Sequence, residues 1–131
     1  MSEIRIVGLD HFSLAIPVGA EPLARRFYGG VLGFQEIAKP DALIGRGGCW
    51  FQAPGIQLHL GVEKPQRPAR RAHPAFLVAD LGVTRSVFEA AAVEIVEDES
   101  GSGVDRFYVT DPFGNRLEFI QEGQGFSQGV R

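Results

Sequence analysis

The sequence predicts an α+β fold in which one strand, one helix and three further strands occur twice along the chain. Three observations lead to this prediction. Segments of alternating apolar and polar residues are short and are separated by many of the 17 glycines and 8 prolines, which is typical of strands joined by turns. Two other segments carry apolar residues at helical spacing. The order of elements in the first half returns in the second half, which indicates an internal duplication.

The composition narrows the class of protein. A chain of 131 residues with 44% hydrophobic and 22% charged residues suits a single folded domain spanning residues 1–131 and excludes intrinsic disorder. No apolar run approaches the ~20 residues of a membrane helix, and the N-terminus lacks the pattern of a secretory signal. A net charge of −3 argues against a nucleic-acid partner. The single cysteine excludes an internal disulfide, so we expect a cytoplasmic protein.

The first module is predicted at about residues 5–62. It begins with an extended run at residues 4–16, in which Phe12, Leu14 and Ile16 alternate with polar or small residues, the period of a strand. A helix is predicted at residues 21–28, because proline is favoured in a first helical turn. Further extended segments are predicted at residues 34–37, at 42–44 together with 49–51, and at 56–61.

A break separates this module from a second one at about residues 73–121. Residues 62–72 are rich in proline and arginine and lack periodicity, so they are predicted to form an exposed linker. The glycine-rich tail at residues 121–131 is predicted to be poorly ordered. The second module is predicted to contain strands at residues 73–78, 93–96, 106–109 and 117–120 and a helix at residues 83–92.

The three histidines of the chain fall at matched positions of the two modules. In our alignment His11 matches His73, and His59 matches Glu118, while residues 50–51 fall near residues 107–108. Each matched residue lies in an extended segment beside apolar residues that point to the opposite face. If the two modules form one continuous curved sheet, three imidazoles and one carboxylate converge in a cup.

This set of side chains predicts a metal site. Isolated polar groups in an apolar cup are costly unless they are paired, and a divalent cation binds imidazole nitrogens and carboxylate oxygens. His11, His59, His73 and Glu118 would suit Fe, Mn, Ni, Co or Zn, and open coordination positions would accept a substrate with two oxygens. A hydrogen-bonded structural role is the alternative for each residue alone. Gln57 is the rival of His59 for the fourth ligand position.

Other side chains are candidates for binding a substrate. Arg46, Arg106 and Tyr108 could bind an anionic or phenolic molecule, and Trp50 could line a pocket with Gln57 nearby. Ordinary surface or core roles are the alternative for these residues.

Several stretches of the chain, between about residues 7 and 121, resemble the vicinal oxygen chelate superfamily, which includes glyoxalases, bleomycin-resistance proteins and extradiol dioxygenases. The most specific stretch is Asp-Pro-Phe-Gly-Asn-Arg-Leu-Glu at residues 111–118. The other matching stretches are residues 9–12, 24–28 leading to 31–34, 57–60 and 73–78.

The resemblance implies tandem βαβββ modules forming an open, curved mixed sheet around a central cup that holds a divalent metal. By position, His11, His73 and Glu118 match the ligand set of the family, and Glu118 and His59 become the candidate catalytic residues. His59 stands where glyoxalase-like members often carry Glu or Gln, which argues against ordinary lactoylglutathione lyase activity. The resemblance leaves lyase, isomerase, dioxygenase and thiol transferase chemistry open on a small substrate, and implies a homodimer. The alternative is a metal-free protein that sequesters a toxic compound, as bleomycin-resistance members do.

Overall fold

A computed structural model describes residues 2–129. The chain divides between Lys64 and Pro65 into two compact units, and each unit contains one four-stranded mixed sheet. In each sheet the first strand of the unit is parallel to the last strand, and the other neighbours are antiparallel. The prediction of an α+β chain with two βαβββ modules is therefore confirmed.

Unit 1 buries an apolar face built from its sheet and its helix. Its sheet has the order β1-β4-β3-β2. Leu58 and Leu60 are buried and alternate with half-buried Gln57 and His59 on the same strand, as a strand with one face on the core requires. Its elements are β1 (Phe12–Ile16), α1 (Glu21–Ala24), a π-helix (Arg25–Val31), β2 (Gln35–Ile37), a 3-10 helix (Asp41–Arg46), β3 (Cys49–Ala53) and β4 (Ile56–Val62).

Unit 2 has the matching sheet order β5-β8-β7-β6. Its helix begins where the Asp80 carboxylate accepts a hydrogen bond from the Val83 amide at 3.0 Å, a typical N-cap. The turn before the last strand is fixed by Asp111, whose Oδ1 accepts from the amides of Phe113 at 2.9 Å and Asn115 at 2.8 Å. Its elements are β5 (Ala75–Val78), α2 (Leu81–Ala90), β6 (Val96–Glu97), β7 (Arg106–Thr110), β8 (Arg116–Gln121) and a 3-10 turn (Phe126–Gln128).

The strand registers make the matched residues equivalent. His59 of β4 lies opposite Ser13 of β1, and Glu118 of β8 lies opposite Ala75 of β5. His11 and His73 each precede these partners by two residues. On the other side, Trp50 lies opposite His59 just as Tyr108 lies opposite Glu118. This pairs residue 50 with residue 108, within the approximate match of residues 50–51 to 107–108 made from the sequence.

Two predicted strand segments are wrong. Residues 4–11 have no regular secondary structure, and Ile4 is 91% exposed. The parallel ladder with β4 starts only at the pair Phe12 and Leu58, and an alternating pattern forms a strand only where a partner strand exists. Residues 42–44 lie in the 3-10 helix rather than in a strand, because a short apolar run does not distinguish the two conformations.

Other boundaries differ by a few residues. The helix predicted at residues 21–28 is α1 extended by the π-helix, which the Leu32 amide closes with a bond of 2.9 Å to the Phe27 carbonyl. The strand predicted at residues 93–96 is only Val96–Glu97, because the chain leaves α2 through Ala92 at a positive φ of 58°. Within the predicted tail, the amides of Gly123 and Gly125 both donate to Gln128 Oε1, and the last two residues of the tail lie outside the described residues. No helix within residues 2–129 is long and apolar enough to cross a membrane.

Candidate functional site

In unit 2, the side chains of His73 and Glu118, two of the four predicted metal ligands, face each other. His73 Nε2 lies 2.8 Å from Glu118 Oε1, although the two residues are separated by most of the unit. The parallel pairing of β5 with β8 brings them together, because Ala75 lies opposite Glu118. Two ligands bound at right angles to one ion at about 2.0–2.2 Å would be about 3 Å apart. The observed spacing is that of a hydrogen bond and is also close to the separation of two neighbouring metal ligands.

The other nitrogen of His73 fixes the orientation of the ring. Its Nδ1 donates to the carbonyl oxygen of Arg71, so the Nε2 atom faces Glu118. Metal-binding histidines commonly donate their second ring N–H to a backbone carbonyl or a carboxylate in this way. Since a carboxylate oxygen only accepts, the Nε2 contact needs a proton between the two groups, which a cation would replace.

Arg106 holds the second oxygen of Glu118. Its Nη1 donates to Glu118 Oε2 at 2.9 Å, and its Nε donates to Asp98 Oδ2 at 2.9 Å. The Glu118 side chain is 5% exposed and the Arg106 side chain is 13% exposed. The hydrogen bonds from Arg106, followed by those from Ser100, hold the pKa of Asp98 well below its usual range. Asp98 was missed in the sequence, because it lies in a polar turn without periodicity.

In unit 1, His11 and His59 lie in contact with each other. The centroids of their two rings are 3.9 Å apart. The Trp50 ring also stacks on His59, with a centroid distance of 3.5 Å and an angle of 2° between the ring planes. Burial, followed by the charge of nearby His11, lowers the pKa of His59. His59 is therefore neutral at pH 7, the form in which imidazole can bind a cation or accept a proton.

The two imidazoles of unit 1 differ in their hydrogen bonds. His11 Nδ1 lies 2.8 Å from Asp10 Oδ2, so its Nδ1 carries a hydrogen, as the Nδ1 of His73 does. His59 Nε2 instead donates to Gln57 Oε1 at 2.6 Å, because an amide oxygen only accepts. His11 and His73 thus both hold a hydrogen on Nδ1, as a histidine bound to a metal through Nε2 does, whereas His59 holds a hydrogen on Nε2.

The candidate substrate residues have distinct surroundings. Tyr108 is buried beside His73 and beneath the Arg116 guanidinium, and Arg106 is occupied by its two carboxylates. Arg46 is exposed at the end of the 3-10 helix, on the rim of a cavity that Trp50 also lines. Within residues 2–129 no group of three or more His, Cys, Asp or Glu side chains is arranged to hold a metal ion. Of the four ligands predicted from the sequence, His11 and His59 belong to unit 1, and His73 and Glu118 belong to unit 2.

Comparisons with known proteins agree on one family. The family model described as "Glyoxalase/Bleomycin resistance protein/Dioxygenase superfamily" matches residues 8–119. The structure of a glyoxalase family protein from Bacillus anthracis is 45% identical, with a TM-score of 0.86 over 92% of this chain and 98% of that one. No functionally curated protein matches the sequence.

More distant structures share the fold alone. A fosfomycin resistance protein, FosX, from Listeria monocytogenes is 15% identical with a TM-score of 0.74, covering 96% of this chain and all of that one. An integron cassette protein from Vibrio cholerae is 22% identical with a TM-score of 0.69, covering 92% of this chain and 99% of that one.

Proposed function

The chain belongs to the glyoxalase, bleomycin resistance protein and dioxygenase superfamily, and from this premise we propose that it is a metal-dependent enzyme acting on a small molecule. The family is one of vicinal oxygen chelate proteins and includes many enzymes. The substrate would bind through two oxygens, and the reaction would be of the lyase, isomerase or dioxygenase type. The cofactor would be a divalent ion, with Fe, Mn, Ni, Co and Zn as the candidates.

One observation carries this proposal. His73 Nε2 and Glu118 Oε1 lie 2.8 Å apart in unit 2 with the Nδ1 of His73 held by a backbone carbonyl. A histidine that binds a metal through Nε2 carries a hydrogen on Nδ1, as the contact with the Arg71 carbonyl requires of His73. The repeat-equivalent His11 has its Nδ1 held in the same way by Asp10. Imidazole nitrogens and a carboxylate oxygen are the types of ligand that suit a divalent cation.

The residues have separate roles in the proposal. His11, His73 and Glu118 bind the ion, which when bound would polarise the substrate oxygens as a Lewis acid. His59 moves a proton at its Nε2 atom, and Gln57 orients that atom by accepting its hydrogen. A fourth ligand role for His59 would require that this hydrogen bond break first.

The proposal also covers assembly and location. We propose that the protein forms a homodimer, with the ligands supplied by one chain or by two. We place the protein in the cytoplasm, where the free buried thiol of Cys49 would stay reduced.

The test is a metal measurement on protein purified without an affinity tag. We expect metal-free protein to bind Co²⁺ at about one equivalent per complete site, with a rise in Tm on binding. Glu118→Gln should lose most of this affinity, and Glu97→Gln, which changes an exposed carboxylate of the same unit, should keep it. His73→Gln serves as a second variant should Glu118→Gln fail to fold.

The opposite result would favour the competing function, a metal-free protein that sequesters a small compound. Purified protein would then hold less than about a tenth of an equivalent of metal, and Mn²⁺, Fe²⁺, Co²⁺, Ni²⁺ and Zn²⁺ would leave the Tm unchanged.

A further inference from the structure

We propose that a cavity in unit 1, beside His59, is a subsite for the anionic end of the substrate, a carboxylate or a phosphonate. This inference rests on the proposed function, which makes His59 in the cavity wall the group that moves a proton. The binding of the anion itself depends on unit 1 alone, which allows the two proposals to be tested separately.

The cavity has about 280 Å³ of space. Trp50 and His59 line it from the sheet, and Leu43, Arg46 and Lys39 line it from the segment before β3. This volume lies just below the usual range of about 300–1,000 Å³ for small-molecule sites. It therefore suits a small acid or the acidic end of a substrate, and it is too small for a nucleotide cofactor.

The charge of the cavity is positive. Arg46 and Lys39 contribute two cations, and its lining contains no Asp or Glu. In the described part of the chain no carboxylate is paired with Arg46, whereas Arg25 and Arg106 both bind carboxylates. The Arg46 guanidinium is thus available for the bidentate binding that carboxylates and phosphonates allow.

The wall of the cavity is held in place by hydrogen bonds between side chains and the backbone of residues 47–48. The Lys39 amino group donates to the Gly47 carbonyl, and the Gly48 amide donates to Glu21 Oε2 at 2.8 Å. A Cβ at Gly48 would lie 2.1 Å from the Leu60 carbonyl oxygen, so the loop runs directly against β4. Arg46 is therefore presented by a loop that is tied to the sheet at several points.

Glu21 is a nearby carboxylate whose position bears on the charge of the cavity. It is the carboxylate that contacts this loop, and it lines the groove on the other side of Lys39 rather than the cavity. The hydrogen bond from the Gly48 backbone, ahead of its other interactions, lowers the pKa of Glu21. Glu21 is thus a charged anchor for the loop, and the cavity side keeps the uncompensated charge of Arg46.

The protein contains a built-in reporter for this cavity. Its single tryptophan is Trp50, in the cavity wall, so tryptophan fluorescence, excited selectively over that of the tyrosines, reports binding beside it. We would titrate protein freed of metal by EDTA with phenylphosphonate, with benzoate and with the uncharged analogue benzamide. Comparing the two acids distinguishes a phosphonate site from a carboxylate site.

We expect one of the two acids to quench the fluorescence saturably with a Kd of about 1 mM, with weaker binding at higher salt. Arg46→Gln should weaken binding about tenfold or more. Arg26→Gln, which removes an exposed arginine outside the cavity, should leave the Kd unchanged. Circular dichroism should show both variants folded, since both side chains are exposed.

Three results would overturn the subsite: no saturable quenching by either acid up to about 50 mM, equal binding of benzamide, or equal losses in the two arginine variants. Because the titration is done without metal, its failure leaves the Co²⁺ result of the proposed function standing. Conversely, a protein that binds no Co²⁺ but binds the acid through Arg46 retains the subsite and loses the metal-dependent function.

Discussion

Replacing Arg106 by glutamine tests the buried charge pair beneath the proposed metal ligands. Arg106 Nη1 lies 2.9 Å from Glu118 Oε2, with the two side chains 13% and 5% exposed. Removing one partner of a buried pair costs about 3–5 kcal/mol, because the other charge is left without compensation. Glu118 keeps His73 as a second partner, so we expect a lower loss of about 2–3 kcal/mol in the free energy of unfolding.

Arg25 and Glu36 supply a control pair at the same distance. Arg25 Nε lies 2.9 Å from Glu36 Oε1, with side chains 48% and 41% exposed. Solvent screens this pair, and exposed pairs contribute about 0.2–1 kcal/mol. The two pairs differ in burial and in the further partners of Arg106 and Glu118, and the difference in their coupling energies measures what this buried network adds.

The assay is urea unfolding of metal-free protein in two double-mutant cycles. One cycle combines Arg106→Gln with Glu118→Gln, and the other combines Arg25→Gln with Glu36→Gln. We expect a coupling energy of about 2 kcal/mol for the first pair and about 0.5 kcal/mol for the second. Equal coupling energies, or a loss below about 1 kcal/mol for Arg106→Gln, would refute the reasoning that Arg106 compensates a buried Glu118 carboxylate.

Two further predictions concern unit 1. Burial raises the pKa of the Cys49 thiol to about 11, so the reactive thiolate is scarce at pH 8. A disulfide reagent should therefore label Cys49 far more slowly in the folded protein than in protein unfolded in urea. Equal labelling rates would contradict the burial of this thiol. Gly48→Ala should destabilise the protein by about 3 kcal/mol or more, because the new Cβ would lie 2.1 Å from the Leu60 carbonyl oxygen at a φ of +80°. Gly55→Ala, at a φ of +75° with nothing within 4 Å, should cost only about 1 kcal/mol in thermal or urea unfolding.

The strands that carry the candidate ligands were predictable because their sequence pattern reflects burial. In β4 and β8 the predicted segments at residues 56–61 and 117–120 agree with the observed strands to within one residue at each end. Residues 4–11 are predicted as part of the first extended run but remain without a strand partner in the structure. Pattern alone reports which side chains suit a strand, and the existence of a neighbour depends on the rest of the chain.

The match between the two pairs of predicted ligands, His11 with His59 and His73 with Glu118, could also be predicted, because a duplication preserves strand register. His59 and Glu118 occupy the same ladder position relative to Ser13 and Ala75. The contacts around the donors could not be predicted in the same way. Asp98 reaches Arg106 from an irregular turn. The group that fixes His73 is the backbone carbonyl of Arg71, and the side-chain types in a sequence do not indicate which backbone groups accept hydrogen bonds.

The structure also explains why the matched positions carry different donors. Two residues before Tyr108 lies Arg106, which compensates the charge of Glu118. The position two residues before Trp50 is Gly48, where a Cβ would meet the Leu60 carbonyl oxygen.

Unit 1 therefore has no room at that position for an arginine side chain. A carboxylate at position 59, partly buried between its neighbours, would lack the hydrogen-bonded arginine on the neighbouring strand that its counterpart has, and burying a charge without such a partner is costly. A neutral imidazole avoids this cost, since burial itself lowers the pKa of His59. The glycine that brings the Arg46 loop against β4 thus also accounts for a histidine, rather than an acid, at the fourth matched position.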